Sequence, residues 1–512
     1  MSPAGAGVSP SGAHARDSRR LAVIGGLAAT LAVVLGLVGL ADASLWLDET
    51  FSVFDARRSV ADILAMRGEA FGGAHHPPGY FLLLKGTMAI CGAHEVCVRA
   101  PSVLGNAGIA AVLVWIAGRW FGLVPAVAAG VMWASTPYAI KYAQQARHYT
   151  LLALVAAVAL LLLVRVLGLG RDAADKPSDG AFWALGLVAS AGLWLHLFAL
   201  PMLGALALLG MVAVATSADR SRLPTPRQWM TAVGVAVVAS APLLPGLWRV
   251  WITGGGGQLA SKAGPVENAR ELLVDLATFG LDTPWIPVLC ACALLVPTWR
   301  GRAQALALAV LAALPMSVVF VRNPEHFVAL RYFMPSLVPV ALLVGMGVGA
   351  IVDRSRQLAS RVSPRRAAVL GASLGALLLA VPVARIGALH VAGLRKQWAT
   401  AGFEPWRDVS AAIREAAGQG DVAVLVPFEL VEYPLLVYPP SIPSVAPDEL
   451  DATLAERPPG VFVVTSHIDR PERSTARREV LRRVAGAGYV RTELDGVPAQ
   501  RAIEVLLYRP RR

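Results

Sequence analysis

Apolar residues in this chain gather into blocks separated by short polar stretches. Such blocks lie at 21–41, 98–118, 121–138, 149–168, 181–196, 198–216, 229–248, 285–297, 303–321, 332–352 and 366–388. Crossing the hydrocarbon core of a bilayer takes about 20 apolar residues in a helix, so the pattern predicts an α-helical polytopic membrane protein of about 11 transmembrane helices. The run "PPGYFLLLKGTMAIC" is short enough to lie in the interface instead. After residue 390 the pattern changes. A helical period near 405–417, the β-branched run "VAVLVP", a second run "VFVVTSH", a helix from Glu472 to Ala487 and a last strand at "IEVLLYRP" predict a small C-terminal α/β domain. The proline-rich "YPLLVYPPSIPSVAPDEL" is expected to be a loop. The expected division is therefore a tail 1–20, a membrane domain 21–390 with long loops at 42–97 and 250–284, and an α/β domain 391–512. "TGGGGQ", within the second long loop, is read as linker.

Composition supports the membrane reading. Hydrophobic residues make up 56% of the chain and charged residues 16%, whereas a soluble globular chain carries about 25% charged residues. The first apolar run follows Arg16, Arg19 and Arg20 but exceeds the length of a signal-peptide core, and is read as a retained span. The net charge of +12 does not point to nucleic acid, because the basic residues are spread over short loops and form no single patch. Those loops alternate with loops poorer in Lys and Arg. The positive-inside rule then places the N-terminus in the cytoplasm, and an odd span count places both long loops and the α/β domain outside a cell (inner or plasma) membrane. Of four cysteines, Cys290 and Cys292 lie within an apolar run, while Cys91 and Cys97 fall on the oxidising side, where pairing and two free thiols are both open.

The chemistry-bearing residues cluster on that outer side. Asp48 and Glu49 follow the first span directly; an acid at a span centre would cost about 2.5 to 3.5 kcal/mol, so the pair belongs beyond the apolar core. Capping of the next helix is the structural alternative for them. "GGAHHPPGYFLLLK" sets His75 and His76 before a helix start fixed by Pro77 and Pro78. "KYAQQARHYTLL" supplies Lys141, Gln144, Arg147, His148 and Tyr149, and "VRNPEHFVALRYFMP" supplies Arg322, Glu325, His326, Arg331 and Tyr332. Any one arginine is explained by snorkelling to headgroups. Together they suit a phosphate-bearing lipid, since the planar guanidinium binds phosphate oxygens in bidentate fashion. His196, near the outer end of its span, is read as a satisfied interface histidine.

The stretches "LWLDETFS", "HPPGYFLLLK", "EVCVRAPSVLGNAG", "YAQQARHYTLLAL" and "RYFMPSLVPVALLVG", taken in order, resemble the GT-C class of polytopic glycosyltransferases. The similarity is to bacterial relatives of protein O-mannosyltransferases and of lipid A aminoarabinose transferases. The resemblance implies a polyprenyl-phosphate-linked sugar donor, an active site at the extracytoplasmic membrane surface and inversion at the anomeric carbon. Carried over by motif, it implies Asp48 as general base and Glu49 as organiser of the site. His76, Arg147, Tyr149, Arg331 and Tyr332 become donor-phosphate ligands; Lys141, from the same outer loop as Arg147, is added to them as a further cation for the phosphate. Gln145 departs from the pattern, since relatives often have Glu there.

One base and no acid fits this chemistry. A glycosidase needs two carboxylates, about 5 to 9.5 Å apart, because its leaving alcohol must be protonated. A leaving lipid phosphate is already a stable anion and needs cations. No cofactor is required on this reading; Asp48, Glu49, His75, His76 and His326 leave a divalent cation open, although no HExxH or regular Cys/His set appears. The expected partners are the lipid-linked donor, an envelope glycan, lipid or protein acceptor, and membrane lipids, with the α/β domain helping to bind the acceptor. A transporter or lipid flippase is the alternative, and a non-catalytic envelope scaffold a third reading.

Overall fold

The structure, a computed structural model, describes residues 10–67, 76–169, 178–217, 223–252, 265–278, 285–322, 330–361, 404–466, 471–494 and 503–511, with single positions between 363 and 380. Among them six helices are long and apolar enough to cross a membrane, by length and composition. They become seven if Leu123–Ser135 and Pro137–Ala143, bent by 56°, form one span. Expected spans at 181–196, 198–216 and 285–297 are apolar helices of only 10–17 residues, Asp179–Leu195, Ala199–Ala215 and Ile286–Leu295. The first of these stops because His196 is extended (φ −167°, ψ 145°). Much of the expected run 366–388 lies outside the described residues, so length supports six or seven spans where the apolar blocks predict about 11. Large apolar side chains such as Leu27, Met211 and Val238 are 62–73% exposed, as lipid contact requires. The chain is a multi-pass membrane protein.

It divides into two compact units. The first comprises 1–38, 76–80 and 99–388, and the second 39–75, 81–98 and 389–512. In the first, the helix Met334–Ser360 forms the centre, its span 94% buried against 28% for Asp17–Leu37 and 22% for Pro226–Arg249. Small residues permit that burial, since lipid tails give helices no hydrophobic reason to associate and close backbone contact must do so. At Gly345 a Cβ would sit 2.6 Å from the Pro125 carbonyl oxygen.

The second unit contains a five-stranded sheet of order β2-β1-β3-β5-β4, with β1 Val422–Val426, β2 Ser444–Val445, β3 Val461–Ser466, β4 Tyr489–Thr492 and β5 Ile503–Pro510. β1 lies parallel to β2 and β3, while β5 is antiparallel to β3 and β4, with Val424 opposite Val463 and Val463 opposite Leu506. Every residue of β1 and β3 is buried. Their uninterrupted apolar runs follow from helices covering both faces. Val424 and Val463 pack with Val480 and Val484 of the helix Pro471–Gly486; Leu425 and Phe462 pack with Trp406 and Ile413 of the helix Trp406–Ala416. Two sequence expectations change here. The proline-rich segment is not all loop, because the helix Phe428–Val437 runs into it with Pro434 inside, and Leu450–Ala455 forms another helix. Burial of Val431 and Leu435 against the sheet, and of Leu430 and Tyr433 against Leu47 and Phe51, outweighs the lost N–H of one proline. The short strand β4 was not signalled by alternation.

Candidate active site

The acids belong to the second unit. Asp48 and Glu49 occupy the first turn of the helix Leu47–Arg57, Asp48 half-exposed and Glu49 fully buried. Glu49 reaches back to accept from the Trp46 N–H at 3.1 Å, one half of a capping box; the Trp46 indole is only a donor and cannot complete the other half. Thus capping is Glu49's task, and Asp48 is the acid that solvent can reach. At the far end of the helix Lys85 Nζ donates to the carbonyls of Arg58 (2.7 Å) and Ala56 (3.4 Å), where a cation favours the helix C-terminus. Cys91 and Cys97 form a disulfide with a Cα–Cα distance of 5.9 Å, resolving the pairing that sequence left open.

The first unit brings together five of the six residues expected to hold phosphate. The turn before the helix Tyr149–Val166 is fixed from two sides. Ser102 Oγ donates to the Arg147 carbonyl at 2.9 Å, and Thr150 Oγ1 donates to the Ser102 carbonyl at 3.0 Å. Gln144 Nε2 donates to the carbonyls of Val38 (2.6 Å) and Gly36 (3.1 Å), which belong to the end of the first span. Arg147 is 8% exposed, and its guanidinium carbon lies 5.7 Å from the Tyr149 ring centroid; that of Arg331 lies 5.2 Å from the Tyr332 ring. The Tyr149 and Tyr332 rings meet edge to face at 6.0 Å. Lys141 stands apart from the ring contacts. It is exposed and lies over Tyr142 at 5.6 Å, the Tyr142 ring in turn meeting Tyr149 at 5.5 Å.

His76 enters through a close backbone approach. Two residues after Pro77, Gly79 passes so near the end of Asp179–Leu195 that a Cβ there would lie 2.6 Å from the Trp194 carbonyl oxygen. This packing carries His76 to 5.5 Å from His196 and 6.2 Å from His148, while His148 and His196 stack at 4.2 Å with an angle of 14° between their planes. Ring contacts close a circuit from His148 to Tyr149, Tyr332, Phe198 and back to His196. His196 is therefore part of the cluster and not an isolated interface histidine. The only sequence signal was its position at the same end of a span as the other groups. His75, Glu325 and His326 lie outside the described residues.

Among the described residues the charged groups that act on the clustered histidines are all basic. Burial first, and then the charges of His196, Arg147, His76 and Arg331, hold the His148 imidazole well below its ordinary range; burial, His76 and Arg147 do the same to His196. His148 is 4% exposed, and among the described residues its Nε2 has no hydrogen-bond partner. Gln145 Oε1 is likewise buried without one. Both atoms offer polar contacts to a ligand. Among the described residues no group of three or more His, Cys, Asp or Glu is arranged to hold a metal ion.

Residues 75–245, about a third of the chain, match the model of the family described as dolichyl-phosphate-mannose-protein mannosyltransferase. No curated protein sequence matches. Among solved structures the chain is similar to ArnT from Cupriavidus metallidurans bound to undecaprenyl phosphate, with 15% identity, a TM-score of 0.57, and 94% of this chain and 97% of that one covered. The same protein in its apo state matches with 16% identity and equal coverage and TM-score. The Archaeoglobus fulgidus oligosaccharyltransferase tethered with an acceptor peptide matches with 11% identity and a TM-score of 0.51, covering 96% of this chain and 74% of that one. Residues 75–245, which hold the three clustered histidines, are thus similar to that mannosyltransferase family, and the chain shares the fold of ArnT along nearly its whole length.

Proposed function

We propose that the chain is an inverting glycosyltransferase that moves a sugar from a polyprenyl-phosphate-linked donor to an envelope glycan, lipid or protein at the extracytoplasmic membrane face. The observation that carries the reading is the clustering of buried Arg147, His148 and His196 with half-buried His76 and Arg331, His148 Nε2 having no hydrogen-bond partner among the described residues. The two guanidiniums attract an incoming anion in a poorly solvated setting, and the imidazoles and tyrosine hydroxyls beside them add donors for phosphate oxygens. ArnT, whose fold this chain shares, was solved with undecaprenyl phosphate bound.

In this reading Arg147, Arg331, His76, Tyr149 and Tyr332 hold the phosphate, joined by His148 and His196, with Lys141 acting from the exposed margin. Asp48 takes the acceptor hydroxyl proton as that oxygen attacks the anomeric carbon; the bond from carbon to phosphate oxygen breaks, and the lipid phosphate leaves as an anion. Glu49 keeps the turn that carries Asp48. No acid and no cofactor is required, because the leaving group is already stable when ionised; a divalent cation would serve only to add charge at the phosphate. The N-terminus is assigned to the cytoplasm and the α/β sheet to the outer compartment on the distribution of basic loops.

The test is transfer from a panel of radiolabelled polyprenyl-phospho-sugars to an envelope extract by protein in nanodiscs. The wild type is expected to use one donor and Asp48→Asn to lose transfer by at least about a hundredfold, the lower range for general-base catalysis. Wild-type turnover in that variant removes Asp48 as base.

A further inference from the structure

Three consecutive amides lead into the acidic turn, and none of them is satisfied by backbone. The Leu45 N–H donates to the Tyr438 hydroxyl (2.9 Å), the Trp46 N–H to Glu49 (3.1 Å) and the Leu47 N–H to Glu404 Oε2 (3.0 Å). Two of the three acceptors lie more than 350 positions away in sequence, in the α/β part of the same compact unit. Glu404 is 3% exposed, and the same oxygen accepts from the Trp406 indole at 2.6 Å. Tyr438 passes its own proton to Glu95 at 2.8 Å, and Glu95 pairs with Arg407 at 3.2 Å. Arg407 in turn donates to the carbonyls of Ala41 (3.2 Å) and Asp42 (3.0 Å), and its backbone N–H to Ser44 Oγ (3.2 Å). Phe51 and Phe54, farther along the acidic helix, each meet the Tyr433 ring at 4.8 Å.

A buried carboxylate is costly unless its hydrogen bonds are made, and this one spends two of them fixing a helix start and an indole beside it. A small module serving only to bind acceptor would have no need to satisfy these amides. We infer that the C-terminal α/β segment is a positioning element for the acidic turn, with Glu404 and Tyr438 as the residues that set where Asp48 stands. The inference rests on the reading of Asp48 as base, and it makes the segment part of the catalytic unit.

Its test uses the full chain in nanodiscs carrying Glu404→Ala, Glu404→Gln, Tyr438→Phe or Asp48→Asn. Measured are kcat with the active donor, the Kd for undecaprenyl phosphate, and hydrogen exchange of residues 44–50. Glu404→Ala is expected to lower kcat by about a hundredfold, the cost of a misplacement near 1 Å, with Kd within about twofold of wild type and exchange at least about tenfold faster. Glu404→Gln, whose single amide oxygen can accept both bonds, is expected to stay within about tenfold of wild type. Tyr438→Phe, a milder change in case Glu404→Ala fails to fold, is expected to lose about tenfold in kcat, the equivalent of one net hydrogen bond. Wild-type kcat and exchange in both Glu404→Ala and Tyr438→Phe, or equal losses in the Gln and Ala variants, would overturn the inference. Full activity in Asp48→Asn defeats the base reading instead, and the exchange rates then still report whether these side chains hold the turn.

Discussion

Gly79 offers a sharp test of how the histidine cluster is assembled. Adding a methyl group there places Cβ 2.6 Å from the Trp194 carbonyl oxygen and 2.9 Å from its carbonyl carbon, against an ordinary contact of about 3.4 Å or more. The obstruction is backbone at the end of a packed helix, so relief requires the chain at Gly79 to retreat by about 0.8 Å, and overpacking of this kind costs about 1–3 kcal/mol. His76 lies three residues upstream and moves with it, away from His196 and His148. A displacement approaching 1 Å in a positioning group costs about a hundredfold. Gly86, in the same helix Gly79–Cys91, provides the control, since a Cβ there meets nothing within 4 Å among the described residues. Gly86→Ala should raise stability by about 0.5–1 kcal/mol through helix propensity alone. Gly79→Ala should lower thermal stability and weaken undecaprenyl phosphate binding and transfer. Equal behaviour of the two variants in thermal unfolding and in lipid-phosphate binding would refute the close approach as the device that delivers His76.

The stacked pair should make the protein acid-sensitive. His148 and His196 are both held below the ordinary 6.5, so the unfolded chain takes up protons that the native cluster refuses. Stability is then full above about pH 6.5 and falls as pH drops toward the lower folded values, visible as a declining unfolding temperature between pH 7 and 5. His148→Asn with His196→Asn should flatten that slope; an unchanged slope would mean other groups cause it. Undecaprenyl phosphate should bind the wild type more tightly as pH falls, because the anion favours the protonated imidazoles. The Cys91–Cys97 disulfide closes a short loop of sequence separation 6, and chain entropy assigns it about 2 kcal/mol. Paired Cys→Ser substitution should lower the unfolding temperature accordingly, with a reducing agent giving the same shift in wild type and none in the variant.

Much of this molecule was legible from local pattern. Blocks of apolar residues announce helices in lipid because the bilayer leaves no other way to satisfy the backbone. Acids and cations placed at block ends have to sit at the membrane surface. In the C-terminal part, β1, β3 and β5 were readable because each carries a run of consecutive apolar residues, as buried strands do. Arg147, Tyr149, Arg331 and Tyr332 could be singled out because each sits beside the start of a span, and their side chains do lie together.

What the sequence could not supply is everything that depends on residues meeting from afar. His196 looked ordinary until the tight passage at Gly79 and the end of the helix Asp179–Leu195 set it against His76 and His148. Glu49 and Asp48 are adjacent and chemically alike, and only the helix start decides that one is buried as a cap while the other faces solvent. Glu404 and Tyr438 carry no motif at all; their meaning comes from the Leu47 and Leu45 amides across more than 350 residues. Hydrophobic period and charge are local properties and survive in the sequence. Hydrogen-bond partnership and like-charge clustering are properties of juxtaposition, and only the packed chain creates them.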